Sequence, residues 1–237
     1  MKSLLKFPLL AAVATMMTCS FSACSDNDDP TPDTGTSETD AKFEAIAKQY
    51  LDHTVYVTYK NLADETEQLV KDLQALKSSK TDANVKATCE TFLEARAWWE
   101  KSEAFLYGAA TDFGIDPHID SWPLDLDGLQ TALKNTEQVE AMGGEDGDIY
   151  AGEKLGNSLL GFHGIEYILF EDGSPKSVSK ISDLHLTYAV AVAGDLRNRC
   201  WQLELSWRGE SAVNADRVAK VANELELPYT VNSGEYS

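Results

Sequence analysis

The sequence predicts an all-α protein, a helical bundle of long antiparallel helices, and three observations support this fold class. Apolar residues recur at helical spacing through most of residues 41–205. No run of alternating apolar and polar residues with hairpin signals favours a sheet. The helical segments are long and their connections short, which is typical of a bundle. A domain of roughly 200 residues is large enough to bury one sizeable core.

Five helices are expected from this periodicity and its boundary signals. Thr81 is a suitable N-cap for the second helix, and Gly143 follows the end of the third. The fourth is expected to stop at the turn residues that follow Glu171. In chain order the expected helices are residues 41–77, 82–107, 125–142, 152–171, and a fifth from about 182 to beyond 201.

The first 40 residues are expected to serve export and tethering. Residues 1–23 carry two lysines and then an apolar stretch, which predicts a signal peptide. Small residues before Cys24 resemble a bacterial lipoprotein signal, in which Cys24 becomes the lipidated N-terminus. The alternative is an ordinary secretory signal cut after Ala23. Residues 24–40 contain almost no apolar side chain and predict a disordered acidic tether before a helical domain at 41–237.

These features predict a cell-envelope protein that the lipid on Cys24 anchors to the outer membrane. The acidic run after this cysteine resembles the tag with which Bacteroidetes-type bacteria send lipoproteins to the cell surface. The alternative is a solvated linker in a periplasmic protein. The lipid is the expected membrane contact, because no later apolar run reaches the roughly 18 residues of a membrane span.

The charge balance restricts the expected partners. The chain has a formal net charge of −19, which argues against nucleic acid and anionic lipid because both require a basic surface. It is compatible with the capture of cations. Beyond the tether only Cys89 and Cys200 remain, and no C-x-x-C pattern indicates a thiolate metal site or a dithiol redox motif.

A G-x-H-x-x-E pattern, formed by Gly161, His163 and Glu166, lies in the fourth expected helix. His163 and Glu166 are three residues apart, so their side chains project from one helix face. Such a pair is half of a metal site or an acid/base pair; the alternative is a locally satisfied histidine beside a helix neighbour. Gly161 and Gly164 flank the histidine at a cost to helix stability, which indicates close approach of another backbone or a ligand.

A second group of polar residues lies on the second expected helix. Arg96, Trp99 and Glu103 fall on one stripe, which indicates a polar pocket walled by an aromatic ring. The alternative is a helix edge from which Arg96 reaches water. An acidic loop follows and contains Asp120 and then Trp122, with Pro123 fixing the turn into the next helix.

Three motifs in this order resemble the imelysin-like family, classed as peptidase family M75. They are Arg96-x-x-Trp99-x-x-Ser102-Glu103-x-Phe105, Trp122-Pro123, and Gly161-x-His163-x-x-Glu166. The resemblance implies an all-helical fold of two bundle-like halves with a pocket between them. It also implies a link of some members to iron uptake, with envelope iron-transport proteins as partners. Family chains generally run longer, so we expect a C-terminally short member whose second helical half is incomplete.

The preferred interpretation is a metal-binding envelope lipoprotein. His163, Glu166 and Glu103 are the expected ligands, a donor set suited to iron, zinc or manganese. Asp120 is the second candidate for the additional carboxylate. In this interpretation Arg96 does not bind the metal itself but neutralises or orients the ligand Glu103. Trp99, Ser102, Asp120, Trp122 and Gly161 are expected to complete the pocket.

Two alternatives remain open. The first is an M75-type metallopeptidase in which His163 binds the metal and Glu166 activates a water. The usual H-E-x-x-H pattern is missing, and a catalytic zinc requires three protein ligands. The second is a pocket that binds a small organic or sugar ligand without any metal.

Overall fold

The protein is described by a computed structural model that covers residues 37–224. The predicted signal peptide, the lipidated Cys24, nearly all of the tether and residues 225–237 lie outside these described residues. Residues 42–224 form one compact unit. The all-α prediction is confirmed, because helices account for almost all of the regular structure in the described part of the chain.

The helices differ greatly in length. The long ones are α2, α3 and α10, and the remainder are short segments that connect or cover them. In chain order the helices are α1 (Glu38–Tyr50), α2 (Tyr56–Ser78), α3 (Asp82–Ser102), α4 (Ala109–Asp112), α5 (Ile115–Ile119), α6 (Leu126–Lys134), α7 (Thr136–Met142), α8 (Gly147–Lys154), α9 (Gly161–Leu169), α10 (Asp183–Arg208) and α11 (Ala215–Glu224).

The core lies between α2, α3 and α10. Helix α2 packs against both of the others, and its leucines at helical spacing, from Leu62 to Leu76, are buried. Helix α10 is almost entirely apolar or small from Leu186 to Gly194, and it stays buried along most of its length although its second half carries polar residues. A helix that is buried all round must be surrounded by other elements, and α8, α9 and α11 pack on α10 for this reason.

Several predicted boundaries are corrected. The first helix begins at Glu38 and contains a π-helical turn at Leu51–Val55 before it continues as α2. The predicted third helix divides at Asn135, whose side chain accepts from the backbone N–H of Gln138 and starts α7. The predicted fourth helix also divides, into α8 and α9, because the backbone of Leu160 is extended between them.

A small hairpin follows α9 in the place where the sequence predicts a turn. Strand β1 (Phe170–Glu171) pairs antiparallel with β2 (Ser174–Pro175). The turn residues Asp172 and Gly173 both have positive φ, at 51° and 72°, as a two-residue hairpin turn of this hand requires. The hairpin is short and leaves the fold class unchanged.

The acidic loop after the second predicted helix is not irregular. It folds into α4 and α5, each preceded by a glycine of positive φ, namely Gly108 and Gly114. The small residues Ala109 and Ala110 and the larger Ile115 and Ile119 are buried. This packing holds the end of α5, and with it Asp120, against α9.

Two further features bear on earlier expectations. Within residues 37–224 no helix combines the length and the apolar character that a membrane crossing requires. The thiols of Cys89 and Cys200 are buried and free. Burial raises the pKa of the Cys89 thiol to about 11, so it is a structural and not a reactive cysteine.

Candidate ligand site around His163

Gly161 fixes the start of α9 against the end of α5. Its φ is +63°, and a Cβ at this position would lie 1.9 Å from the carbonyl oxygen of Ile119. Only glycine combines that backbone conformation with that contact. The predicted close approach of another backbone is therefore present, and it brings the motif on α9 next to the residue that follows Ile119.

His163 lies between two carboxylates, one on each ring nitrogen. Its Nε2 is 2.9 Å from Oδ1 of Asp120, and its Nδ1 is 3.1 Å from Oε2 of Glu166. The hydrogen bond with Asp120 is the main reason that the pKa of His163 is raised above its ordinary value, and Glu166 adds to the effect against the cost of burial. The predicted helical pairing of His163 with Glu166 is thus present in the structure.

Asp120 is held by two donors from α3 in addition to His163. Arg96 donates through Nη1 to Oδ1 at 2.5 Å, and the buried indole of Trp99 donates through Nε1 to Oδ2 at 2.9 Å. Burial alone would raise the pKa of Asp120, but the hydrogen bonds from His163, Arg96 and Trp99 outweigh it and hold the pKa well below its ordinary value. Asp120 is therefore an ionised acceptor over the whole physiological range.

This arrangement sets the orientation of the imidazole. An ionised carboxylate only accepts hydrogen bonds, so Nε2 of His163 carries the hydrogen that faces Asp120. Nδ1 is then the nitrogen that faces Glu166 and becomes a lone-pair donor when it loses its proton. A histidine that donates one N–H to a carboxylate and offers the other nitrogen outward is the usual geometry of a metal-ligating histidine.

His163 and Glu166 form part of the wall of an open cavity of about 430 Å³. Trp122 stands at its rim, 75% exposed, with its ring centroid 4.8 Å from that of His163. The hairpin β1–β2 contributes Glu171, Asp172 and Gly173. The remaining lining residues are apolar or aromatic: Phe92, Leu93, Leu124, Tyr167 and Phe170.

The ion pairs of Arg96 are made with other carboxylates than the expected Glu103, on which Arg96 acts only as a nearby charge. Arg96 pairs with Asp120 and, through Nη2 at 2.6 Å, with Glu100, and not with Glu103. The reason is the end of α3 at Ser102: Glu103 opens a 3₁₀ turn and leaves the α-helical stripe on which the prediction relied. The side chain of Glu103 is exposed overall. The small part of it that is buried, together with the negative charges of Glu100, Asp116 and Asp120, raises the pKa of its carboxyl.

Ser102, which the sequence places in the pocket, belongs to the core. It is fully buried and donates to the carbonyl oxygen of Trp99 at 2.7 Å. It therefore supports the last turn of α3, from which Trp99 reaches Asp120, and acts on the site only through this helix.

The donors around His163 do not converge on a single point. Asp120 and Glu166 lie on opposite ring nitrogens, so an ion bound at one nitrogen is remote from the carboxylate at the other. In agreement, the described residues include no group of three or more His, Cys, Asp or Glu side chains arranged to hold a metal ion. The pair that opens to the cavity is Nδ1 of His163 with the carboxylate of Glu166, whose side chain is 53% exposed.

A second histidine–carboxylate pair and most of the cavity wall are not evident from the sequence alone. His118 contacts Asp195 of α10 at 2.6 Å through Nε2, and both side chains are buried. In sequence His118 is one polar residue of an acidic loop, and nothing local identifies Asp195 as its partner. The wall residues Tyr167 and Phe170 follow Glu166 closely in sequence. Their aromatic character is the sequence feature that could have indicated a cavity wall.

The fold and the site define an all-helical protein with a histidine in the wall of an aromatic cavity. Asp120, which Arg96 and Trp99 hold in place, orients this histidine. The chain belongs to the imelysin family, peptidase family M75, which matches residues 55–231. The resemblance inferred from the three motifs is thereby confirmed.

Similar proteins agree with this assignment. Over 163 residues the chain is 31% identical to iron-regulated protein A of Synechococcus elongatus. It resembles the solved structure of a putative iron-regulated protein A precursor from Parabacteroides distasonis, with a TM-score of 0.64 and 24% identity over 85% of the chain. It also resembles an imelysin peptidase from Bacteroides ovatus, with a TM-score of 0.51 and 33% identity over 58% of the chain.

The chain spans only part of each of these proteins. The matched regions amount to 40% of the Synechococcus protein, 55% of the Parabacteroides chain and 39% of the Bacteroides chain.

Proposed function

We propose that this chain is an iron-related imelysin protein of the cell envelope that binds a metal ion through His163 and Glu166. The observation that carries the proposal is the hydrogen bond between Nε2 of His163 and Asp120, which directs Nδ1 toward Glu166 at the cavity wall. One nitrogen and one carboxylate donor suit iron, manganese or zinc. Iron is favoured because two of the similar proteins carry the name iron-regulated protein A.

The surroundings of the pair support binding. Arg96 and Trp99 hold Asp120 from behind, so His163 keeps its orientation when the ligand is absent. Such fixed support behind a ligating histidine raises its basicity and reduces the cost of ordering it on binding. Glu166 is half exposed and free to turn toward an ion at Nδ1.

Binding without catalysis is favoured over peptide hydrolysis by the number of ligands. A catalytic zinc needs three protein ligands and an open position, whereas two donors open to the cavity here. Glu103, the expected third ligand, is exposed on the 3₁₀ turn after α3. With two protein donors, a four-coordinate ion has two positions and a six-coordinate ion has four positions to fill with water or with a second molecule.

The proposal includes the envelope setting. Cys24 would be lipidated after removal of residues 1–23 and would hold the domain at the outer membrane through the acidic tether. A net charge of −19 would raise the local concentration of cations around the domain. Envelope proteins of iron transport would be the partners that deliver or receive the ion.

The test is metal content and affinity in matched variants. The full-length chain is treated with a chelator, incubated separately with ferrous iron, manganese and zinc, desalted and analysed for metal. We expect about one ion per chain in the parent and in His53→Ala, whose histidine is exposed and remote in sequence from the motif. We expect none in His163→Ala/Glu166→Ala.

Two results would contradict the proposal. One is a folded parent that retains no metal, which would leave a metal-free organic ligand for the cavity. The other is equal retention by the parent and by His163→Ala/Glu166→Ala. Digestion of a casein substrate by the parent, abolished both by chelator and by Glu166→Gln, would instead support the peptidase alternative.

A further inference from the structure

We infer that the ligand is a ferric ion already held by two small, planar, bidentate oxygen chelators, with a total charge of zero or above. The cavity beside His163 receives the chelator rings, and His163 and Glu166 complete the coordination. This inference rests on the proposed function, because it requires metal coordination by these two residues.

The two protein donors leave most coordination positions of an iron ion unfilled. Ferric iron takes six ligands in a near-octahedral arrangement, and the open pair supplies two adjacent positions, Nδ1 of His163 and one oxygen of Glu166. Four positions remain. The carboxylate of Asp120 lies on the far ring nitrogen and takes no part. Two bidentate chelators supply four donors and leave two adjacent positions open for the protein.

The cavity wall suits organic rings better than a hydrated ion. A hydrated ion requires polar surroundings, whereas the wall beside the two donors is formed largely by Phe92, Trp122, Leu124, Tyr167 and Phe170. Aromatic and aliphatic side chains pack well against flat organic rings and poorly against ordered water. The volume of about 430 Å³ falls in the range of small-molecule sites, about 300 to 1,000 Å³.

Large apolar side chains at the cavity rim are exposed to solvent. Trp122 is 75% exposed and Leu93 is 56% exposed, and both border the cavity. The ring of Trp122 lies 4.8 Å from that of His163 between centroids, and both residues line the cavity, so the indole is available to a planar ligand bound there. Large apolar side chains left in solvent beside polar donors are typical of a ligand-binding surface.

The charged side chains that line the cavity beside His163 are acidic. Glu166, Glu171 and Asp172 are on the wall, and the described lining residues include no lysine or arginine. Two lysines approach from outside the wall: Lys180 pairs with Glu171, and Lys176 lies over the ring of Tyr167. Anionic complexes are therefore disfavoured. A ferric ion with two singly charged chelators carries one positive charge, which the carboxylate of Glu166 neutralises.

The binding step is a ligand exchange without electron transfer. Two waters that complete the bis-chelate leave the iron, and the lone pair of Nδ1 and an oxygen of Glu166 take their places. Any proton on Nδ1 passes to the departing water. Iron stays ferric, and both chelators remain bound through all four oxygens.

The experiment uses the full-length chain and the ferric complex with two equivalents of 3-hydroxy-1,2-dimethyl-4-pyridinone. Affinity is measured by equilibrium dialysis and by the visible charge-transfer band, which shifts when nitrogen and carboxylate replace water. The same dialysis is run with ferric citrate, with bare manganese and zinc ions, and with the free pyridinone. The variants are Trp122→Ala, His163→Ala and, as an exposed aromatic control away from the cavity, Tyr107→Ala.

We expect the pyridinone complex to bind the parent at least tenfold more tightly than ferric citrate or the bare ions, with a shift of the band. Trp122→Ala should weaken binding of the complex at least tenfold, and this loss should exceed any loss of affinity for bare ions, because the indole borders the space for the chelator rings. Tyr107→Ala should bind the complex with the same affinity as the parent. His163→Ala should bind neither the complex nor the bare ions.

Failure of the inference and failure of the proposed function give different results. Equal affinity for bare ions and the complex, with no effect of Trp122→Ala, would overturn the inference and leave metal binding intact. Binding of the complex by His163→Ala with an unshifted band would overturn coordination by the protein. Absence of binding for every form of metal would remove the proposed function and the inference together.

Discussion

Asp120 accepts a hydrogen bond from Nε2 of His163 on the side of the imidazole opposite Glu166. This one contact links two helices that are distant in sequence, α3 through Arg96 and Trp99, and α9 through His163. It means that the ring nitrogen nearer the cavity is Nδ1. The functional behaviour of the site therefore depends on a residue that does not itself face the ligand.

The first prediction concerns Asp120→Asn. An amide in place of the carboxylate is a poorer acceptor for Nε2–H and removes the charge that Arg96 pairs with, so the imidazole loses its fixed orientation. Loss of such supporting partners typically costs 10-fold to 100-fold in metal affinity, and we expect a loss of about this size for manganese or ferrous iron, measured by isothermal titration calorimetry. Asp127→Asn, an exposed change on α6, is the control. Unchanged affinity in Asp120→Asn would contradict the positioning role.

The second prediction concerns pH and the stability of the metal-free protein. The pKa of His163 is raised in the folded state, so its stabilising contribution is complete below the unfolded value of about 6.5 and is lost as pH rises through the folded pKa. The pKa of Asp120 is lowered, so its contribution is complete above about 3.8 and is lost as pH falls. The pair is therefore most stabilising between these limits.

His163→Gln provides the measurement. The free energy of unfolding is obtained from urea titrations of parent and variant, in the presence of chelator, from pH 4 to pH 9. The difference between parent and variant should be largest near pH 5 and should shrink toward pH 9. A difference that grows with increasing pH would mean that the histidine is neutral in the folded state and that the ion pair with Asp120 does not form.

The sequence predicts the members of the site better than their pairing. His163 and Glu166 share a helix face, and Trp99 lies on the stripe with Arg96, because both relations follow from helical geometry alone. Glu103 does not follow the same stripe because α3 ends one residue before it. A periodic pattern is valid only as far as the helix that carries it, and the end of a helix depends on packing.

Asp120 shows what local sequence does not contain. It is one of several aspartates in the segment between α3 and α6, and its neighbours distinguish it poorly from Asp116 or Asp125. Its contact with His163 arises because α5 packs on α9 through Ile119 and Gly161. That packing is a long-range relation, although the glycine was a visible sign that some backbone would come close.

The third prediction uses that glycine. Gly161→Ala places a Cβ 1.9 Å from the carbonyl oxygen of Ile119 in a residue of φ +63°. Strain of the backbone and overpacking of this size each cost about 1 to 3 kcal/mol, so we expect a loss of about 3 kcal/mol or more in the free energy of unfolding. Gly156→Ala is the matched control, with negative φ and nothing within 4 Å of the new Cβ. It should stay within about 0.5 kcal/mol of the parent, and equal effects of the two changes would disprove the contact.

The last prediction concerns α11, which is held to the bundle by Arg217. This guanidinium lies 2.6 Å from Asp64 and 2.8 Å from Glu67 on α2, and 2.8 Å from the buried Glu204 on α10. Burial opposes the charge of Arg217, but the three carboxylates outweigh it and raise its pKa. Removal of one partner from a network with a buried carboxylate leaves that charge poorly compensated, with Arg208 as the remaining partner of Glu204 within residues 37–224.

Arg217→Ala should therefore lower the free energy of unfolding by about 2 to 4 kcal/mol, somewhat less than for a fully buried pair. Amide hydrogen exchange should show faster exchange in α11 than in α2. Lys71→Ala removes an exposed pair with the same Glu67, and it should cost at most about 0.5 kcal/mol. If both variants lost the same small amount, the network would be a surface feature. If exchange in α11 stayed at the parent rate, this helix would be held by Val221 and its apolar neighbours alone.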